Sequence, residues 1–124
     1  MTRKKFINIF TDFIKKAVML NNKRLEHGIQ SLENEVEDLD DEYFKMGLRM
    51  IIDEVDLKLV DEILSNMLFF KKGKYERTYI TIVKRTVIGI HEGLSSRILV
   101  MVLLSLANLP KREQNMVEYE LLKD

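Results

Sequence analysis

The sequence contains no cysteine and no tryptophan, and its 124 residues include one proline and five glycines. Without cysteine the chain cannot form disulfides or use a thiolate as a nucleophile or metal ligand. Few prolines and glycines, together with 32% charged residues, are typical of a folded helical domain rather than a β-sandwich or a disordered chain. Basic and acidic residues number 20 each, so the net charge of zero favours neither nucleic acid nor an anionic membrane as the main partner.

Motifs for catalysis or metal binding are also missing. The two histidines, His27 and His91, are far apart in sequence, and neither belongs to a His-x-x-x-His or Glu-x-x-His pair. There is no glycine-rich phosphate loop, nucleophile elbow or kinase signature. We therefore predict a protein that is not an enzyme, with no catalytic residues, cofactor or metal. The carboxylates Asp53 and Asp56 are interpreted as helix caps rather than as a catalytic pair.

One long uncharged stretch lies between Arg97 and Lys111. A helix here is apolar on every side and needs cover all round, while the stretch is too short for the roughly 20 apolar residues of a membrane span. We predict a helix at 96–109 in the centre of the fold. A strand remains the alternative, because the stretch contains the β-branched residues Ile98, Val100 and Val102. No transmembrane span or signal peptide is predicted.

Apolar residues elsewhere recur at steps of three and four, the spacing of amphipathic helices. They form three main stripes: Phe6, Phe10, Phe13, Ala17 and Leu20; Phe44, Leu48, Ile51 and Val55; Val60, Ile63, Leu64 and Met67. This pattern predicts a single all-α domain over residues 1–124, a compact bundle of about five to seven helices around the apolar C-terminal helix. Its expected segments are a long bent helix at 4–39, a helical hairpin at 42–71, a helix at 75–92, the central helix at 96–109 and a tail at 110–124.

Local signals refine these segments. Asparagine competes with helical hydrogen bonding through its side chain, so a bend is expected at Asn21–Asn22. Asp40 or Asp41 is the expected N-cap of the next helix, and Asp56 that of the one after it. The β propensity of Tyr79–Val83 keeps a strand open as an alternative there. Seven acidic residues and no basic one lie within Glu33–Glu42, which we interpret as a solvated helix end and turn, with an acidic contact patch as the alternative.

Two stretches resemble the cytoplasmic parts of the flagellar stator protein MotA, in the MotA/TolQ/ExbB ion-channel family. In the first, about Phe10 to Phe70, Arg24-Leu25-Glu26 stands in the place of the family's Ala/Ser-Leu-Glu, and Tyr43 to Val60 is similar to its pattern with Gly-Leu and Asp-Gly-x-Asp-Pro. In the second, about Ile80 to Arg112, Gly89-Ile90-His91-Glu92-Gly93 and Leu109-Pro110 are similar to its C-terminal region. The resemblance implies a helical protein that works through protein contacts.

Departures from the family pattern change what the resemblance implies. The family's four membrane helices are missing, so the chain is not expected to conduct ions. In the family an Arg and a Glu, eight residues apart, contact the rotor protein FliG; Glu26 stands at the Glu position, but Val18 stands at the Arg position. The glycine and the proline of the family's Asp-Gly-x-Asp-Pro pattern are replaced by Glu54 and Leu57 in this chain. In the C-terminal helix predicted at 96–109, Val100, Met101 and Val102 stand where the family has charged residues.

The leading hypothesis is therefore a cytoplasmic MotA-like interaction module, at the cytoplasmic face of the inner membrane, whose partner is FliG or another motor component. The predicted partner-binding residues are Lys15, Lys16, Lys23, Arg24, Glu26, Glu33 and Glu37. One alternative is a homo-oligomer that associates through Val100–Val102 and Phe69–Phe70. Another is a peripheral membrane protein that lies on the bilayer through the helix Phe6–Leu20. Nucleic acid is not expected as a partner.

Overall fold

Seven α-helices make up the fold in a computed structural model that describes residues 1–122. They are α1 (Arg3–His27), α2 (Glu33–Glu37), α3 (Glu42–Ile52), α4 (Leu57–Asn66), α5 (Lys74–Glu92), α6 (Ser96–Ala107) and α7 (Lys111–Leu122). Short 3₁₀ turns occupy Ile29–Leu32 and Met67–Phe70. No strand occurs within the described residues, and the prediction of a compact all-α protein is confirmed. None of these helices is both long enough and apolar enough to cross a bilayer.

Helix α5 forms the centre of the bundle. It packs against α1, α3, α4 and α6, and its buried side chains are those of Ile80, Ile82, Val83, Thr86, Val87 and Ile90. The cations Lys84 and Arg85 on this helix reach outward along their aliphatic stems to Asp61 (3.0 Å) and Glu92 (3.1 Å). A helix with charged residues can therefore occupy the central position.

Helix α6 is not the central helix that its uncharged sequence predicted. It buries Leu99, Leu103, Leu104 and Ala107 against α1 and α5, but Ile98 and Met101 on its other side are 44% and 58% exposed. The prediction of a C-terminal helix covered on every side is thus corrected to a helix covered on one face. The physical reason is that α5 already fills the centre with β-branched side chains, which leaves α6 in the outer layer.

Helix α1 is a single helix that ends earlier than the sequence predicted. Its stripe of Phe6, Phe10, Phe13, Ile14, Ala17 and Leu20 is buried. The helix continues through Asn21–Asn22 without a break and stops at Gly28, whose φ of 91° lies outside the helical region. The predicted long bent helix at 4–39 is therefore three elements: α1, a 3₁₀ turn and the five-residue helix α2.

Helices α3 and α4 both pack against α5. Asp41 caps α3 by accepting a hydrogen bond from the amide of Phe44 (3.0 Å), and Asp56 caps α4 by accepting one from Lys58 (2.8 Å). Gly47 lets α3 approach α5, because a Cβ at this position would lie only 2.6 Å from Cγ2 of Val87. The glycine of the MotA-like Gly-Leu pair thus has a packing role in this chain.

The helix directions define two ends of the bundle. Helices α1 and α5 run parallel, since Phe6 stacks on Tyr75 (ring centroids 5.1 Å apart) near their starts and Arg24 bonds to Ile90 near their ends. Helix α6 returns in the opposite direction from Ser96 to Ala107. The starts of α1 and α5 therefore lie at the same end as the turn between α6 and α7, and the ends of α1 and α5 lie at the other.

Candidate protein-interaction surface

The outward face of α1 is an exposed stripe, which we call the α1 stripe. It consists of Asp12, Lys16, Met19, Lys23 and Glu26, which follow one another at steps of three and four residues. Each is exposed except Lys23, which is half-buried. At 1.5 Å per residue, Lys16 and Glu26 are about 15 Å apart along the helix. The predicted partner-binding residues Lys16, Lys23 and Glu26 thus share one helix face.

Two of the predicted lysines are engaged in ion pairs within the chain. Nζ of Lys23 lies 2.7 Å from Oε1 of Glu35, which holds α2 against the second half of α1. Nζ of Lys15 lies 3.5 Å from Oε2 of Glu120 on α7. All four side chains are between about one third and two fifths exposed, so water still screens both pairs. A protein partner that binds these lysines therefore has to compete with Glu35 and Glu120 for their ammonium groups.

Arg24 has a structural role that the sequence did not predict. Its Nε donates to the carbonyl of Ile90 (2.8 Å), and its Nη2 donates to that of His91 (3.0 Å). Both carbonyls belong to the last turn of α5, where unpaired oxygens and the negative end of the helix dipole favour a cation. Arg24 therefore fastens α1 to the C-terminus of α5, and its guanidinium is not a free contact for a partner.

The acidic residues Glu33 and Glu37 are exposed on the short helix α2. Glu37 accepts a hydrogen bond from Arg49 of α3, and this bond, followed by the charge of the same guanidinium, lowers the pKa of Glu37. Further along, Asp40 and Asp41 line one groove with Asp12 and Lys16. The acidic stretch thus lies beside the α1 stripe, so that charges of both signs meet on one side of the molecule.

Asp41 differs from the rest of the acidic stretch. One of its oxygens caps α3, and the other accepts a hydrogen bond from the hydroxyl of Tyr79 on α5. Burial, and then this hydrogen bond, raise the pKa of Tyr79 above its usual range. The interpretation of the acidic stretch as a cap and turn therefore fits Asp41, whereas its neighbours Glu37 and Asp40 are exposed.

Asn21 is a buried residue that sequence reasoning assigned to a helix break. Its Nδ2 donates to the carbonyl of Leu94 (2.9 Å) and to Oγ of Ser96 (3.0 Å), and Ser96 in turn donates to Asn22. These bonds attach the start of α6 to the last third of α1. The available signal was the position of Asn21 next to Leu20, in phase with the buried stripe.

The surfaces predicted for membrane contact and for self-association differ in their exposure. The apolar residues Phe6, Phe10, Phe13, Ile14 and Leu20 of α1 are all buried in the core. The predicted membrane contact through the helix Phe6–Leu20 is therefore wrong, because that face already packs against the other helices. Of the two apolar segments predicted for self-association, Val100 and Val102 are half-buried, whereas Phe69 and Phe70 are exposed.

No convergent chemical site is evident among residues 1–122. A groove beside His91 is lined by Ile29, Gln30, Glu54 and Asp56, and this part of the chain holds no group of three or more His, Cys, Asp or Glu residues placed to bind a metal. The absence of catalytic, cofactor and metal sites stays a prediction. What the structure presents is a helical domain with a mixed-charge face.

The fold and this face define a class of helical, all-α domains whose exposed charges suit protein contacts. The chain is 27% identical over 66 residues to Motility protein A of Treponema phagedenis, a match that covers 53% of this chain and 26% of that protein. It is 34% identical over 66 residues to Motility protein A of Borreliella burgdorferi, covering 53% of this chain and 24% of that protein. These findings confirm the resemblance to MotA over about half of the chain.

The chain spans about a quarter of the length of the curated relatives that it matches. No protein-family model matches it, and no solved structure is significantly similar to it.

Proposed function

We propose that this chain is a non-enzymatic, MotA-like interaction module of the flagellar motor, which takes part in stator–rotor contact and does not itself conduct ions. The similarity to two proteins named Motility protein A supports a motility-related role. The single structural observation that carries the finer proposal is the exposed α1 stripe, which presents Lys16 in a groove with Asp40 and Asp41 and carries Glu26 near its C-terminal end. The proposed location is the cytoplasm, at the cytoplasmic face of the inner membrane.

The partner that we propose is the rotor protein FliG or another motor component with a complementary charged helix. The contact surface comprises Lys15, Lys16, Lys23, Glu26, Glu33 and Glu37, while Arg24 holds the surface in place from behind through α5. Lys16, Glu26 and Glu33 carry most of the contact, because Lys15, Lys23 and Glu37 already have partners within the chain. Exposed charges of this kind raise the encounter rate and set specificity more than affinity.

Charge reversal at Glu26 tests this proposal. Binding of purified FliG to the wild-type protein and to Glu26→Lys is measured by surface plasmon resonance over a range of salt concentrations. We expect the variant to associate about fivefold more slowly at low salt, and the difference to shrink as salt screens the charges. Glu26 is exposed, and the one ion pair that the described residues 1–122 show for it is with the neighbouring His27 at 3.7 Å, so the substitution should leave the stability unchanged.

Glu62→Lys is the matched control, because Glu62 is an exposed glutamate on α4, outside the proposed surface. This variant changes the net charge by the same amount and should bind as the wild type does. The proposal fails if FliG and the other motor components do not bind the wild-type protein. It fails equally if binding ignores salt, or if Glu26→Lys and Glu62→Lys behave alike.

A second candidate function is a structural subunit that self-associates. The observation in its favour is the uncovered face of α6, where Ile98 and Met101 are exposed on an otherwise apolar helix. Light scattering over a range of protein concentrations tests it, with Met101→Glu as the disrupting variant. A wild-type protein that remains monomeric at the highest concentration would refute self-association without affecting the FliG test.

A further inference from the structure

Two adjacent phenylalanines protrude from the connection between α4 and α5. Phe69 is 81% exposed and Phe70 is 85% exposed, in a 3₁₀ turn that has no buried residue. Exposing two large aromatic side chains to water is unfavourable, by about 25 cal/mol for each Å² of apolar surface. Such a pair indicates a surface that another phase or molecule covers.

The turn that carries these side chains is held in place by contacts with α5 and α3. Nη1 of Arg77 on α5 donates to the carbonyls of Leu68 (2.5 Å) and Lys71 (3.1 Å), one on each side of the phenylalanine pair. Nζ of Lys71 also lies 5.1 Å from the ring centroid of Tyr43 on α3, a cation–π contact. Both flanks of the turn are thus held against the bundle, and the outward position of the two rings is part of the fold.

Exposed cations lie at the same end of the bundle as this turn, because several helices begin there. The stacking of Phe6 on Tyr75 brings the start of α1 beside the start of α5, and an ion pair of 2.7 Å joins Arg3 to Glu113 of α7. Arg3 and Lys74 also share a groove with the turn between α6 and α7. The exposed cations assembled at this end are Arg3, Lys4, Lys5, Lys72, Lys74, Lys111 and Arg112.

Acidic residues at this end are fewer than the seven exposed cations. Among the described residues, the carboxylates placed there by sequence and contact are those of Asp40, Asp41, Glu42, Glu76 and Glu113. Glu113 is paired with Arg3, and hydrogen bonding to a backbone amide and an amino group lowers the pKa of Glu76. The end of the bundle with Phe69 and Phe70, which we call the basic end, therefore carries an excess of positive charge although the whole chain is neutral.

We propose that the basic end docks on the surface of an anionic lipid bilayer, with Phe69 and Phe70 inserted among the acyl chains and the cations against the head groups. Interfacial binding needs apolar side chains and basic residues on the same face, and this end presents both. Each Lys or Arg near an anionic leaflet strengthens binding about fivefold, so that several cations and two rings together suffice for reversible attachment. The proposal is independent of the FliG contact, which uses the α1 stripe.

Phe70→Trp turns the proposed contact into an optical probe. The chain has no tryptophan, so emission excited at the indole band reports on position 70 alone. The variant is titrated with vesicles of phosphatidylcholine containing about one third phosphatidylglycerol and, separately, with vesicles of pure phosphatidylcholine. We expect a blue shift and quenching by brominated acyl chains with the anionic vesicles, both diminished by salt, and little change with the neutral ones.

Tyr119→Trp is the control probe, because Tyr119 is exposed on α7 and its emission should stay that of an indole in water. For the charges, Lys72→Ala with Lys74→Ala should lower vesicle binding by about 25-fold, at about fivefold for each cation. Lys58→Ala, which removes an exposed cation from the start of α4 at the opposite end, should leave binding unchanged.

Several outcomes would overturn the proposal. One is an unshifted emission of the Phe70→Trp variant on anionic vesicles at low salt. Another is equal weakening by the Lys72→Ala/Lys74→Ala pair and by Lys58→Ala. Retention of the protein on a polyanion column without any binding to vesicles would assign the basic end to an acidic macromolecule instead of a membrane.

Discussion

The turn after α3 offers the sharpest test of how this chain departs from its MotA-like pattern. At the helix end, the amide of Glu54 donates to the carbonyl of Ile51 (3.2 Å) and that of Val55 donates to Met50 (3.0 Å). This pair of bonds is a Schellman motif, whose first residue beyond the helix cap adopts the left-handed conformation. Glycine is preferred there, yet this chain has Glu54 with a φ of 61°. In the pattern that the chain resembles, the same position is glycine.

Glu54→Gly should therefore stabilise the protein. The left-handed conformation costs a residue with a Cβ about 1–2 kcal/mol. The greater freedom of glycine in the unfolded chain offsets about 0.4–1 kcal/mol of that gain. Glu54 is exposed and makes no side-chain hydrogen bond or ion pair recorded within residues 1–122, so no contact is lost. The expected net gain is about 0.5–1 kcal/mol, or a rise of about 2–5 °C in Tm for a domain of this size.

Urea denaturation followed by circular dichroism measures this gain, with thermal unfolding as a second readout. Asp53→Gly is the matched control, because the φ of Asp53 is −80°, in the right-handed region. Glycine there relieves no strain and only increases the conformational freedom of the unfolded chain, so it should lower the stability by about 0.5–1 kcal/mol. Gly93, with a φ of 76°, occupies the equivalent position after α5, and Gly93→Ala should be destabilising. If Glu54→Gly is no more stable than the wild type, or if Asp53→Gly stabilises equally, the conformational argument is refuted.

Two further substitutions test contacts of the central helix. Gly47→Ala places a Cβ 2.6 Å from Cγ2 of Val87, so we expect a loss of about 1–3 kcal/mol in urea denaturation, smaller in a Val87→Ala background; an unchanged stability would contradict the close approach. Tyr79→Phe removes the hydrogen bond to Asp41 and should cost about 1–2 kcal/mol near pH 7. Folding raises the pKa of Tyr79, so the contribution of its hydroxyl to the free energy of unfolding is complete below about pH 10 and declines as the pH rises further. The stabilities of the wild type and of Tyr79→Phe should therefore converge at alkaline pH. A constant difference between them would show that the phenol is not shielded from water in the folded state.

The helical class followed from local spacing, and so did the caps. Asp41 and Asp56 were predictable as N-caps because a carboxylate before an apolar stripe bonds to amides two or three residues ahead, a relation contained within one turn of sequence. The end of α1 was harder. Asn21 and Gly28 are both residues that interrupt helices, and only tertiary packing decides between them. Asn21 finds partners at the start of α6, so the break falls at Gly28.

The choice of the central helix could not be made from composition. Hydrophobicity ranked the uncharged α6 above α5, which contains Lys84 and Arg85. Burial depends instead on which helix has neighbours on every side, and the ion pairs to Asp61 and Glu92 let α5 keep its charges at the surface while its β-branched face is enclosed. The same limit applies to the candidate surface. The sequence identified Arg24 as a cation, but its use by the C-terminus of α5 is a relation between residues 66 positions apart.

The net charge of zero was the weakest ground for excluding a partner, because a sum discards position. The structure gathers the starts of α1, α5 and α7 at one end, and with them Lys4, Lys72 and Lys111. Physiological salt screens exposed charges beyond about 8 Å, so a partner at the basic end interacts with these cations and not with the carboxylates at the far end. Electrostatic attraction to an anionic surface is therefore compatible with a neutral chain. The charged α1 stripe and the basic end can act as two separate contacts on a single small bundle.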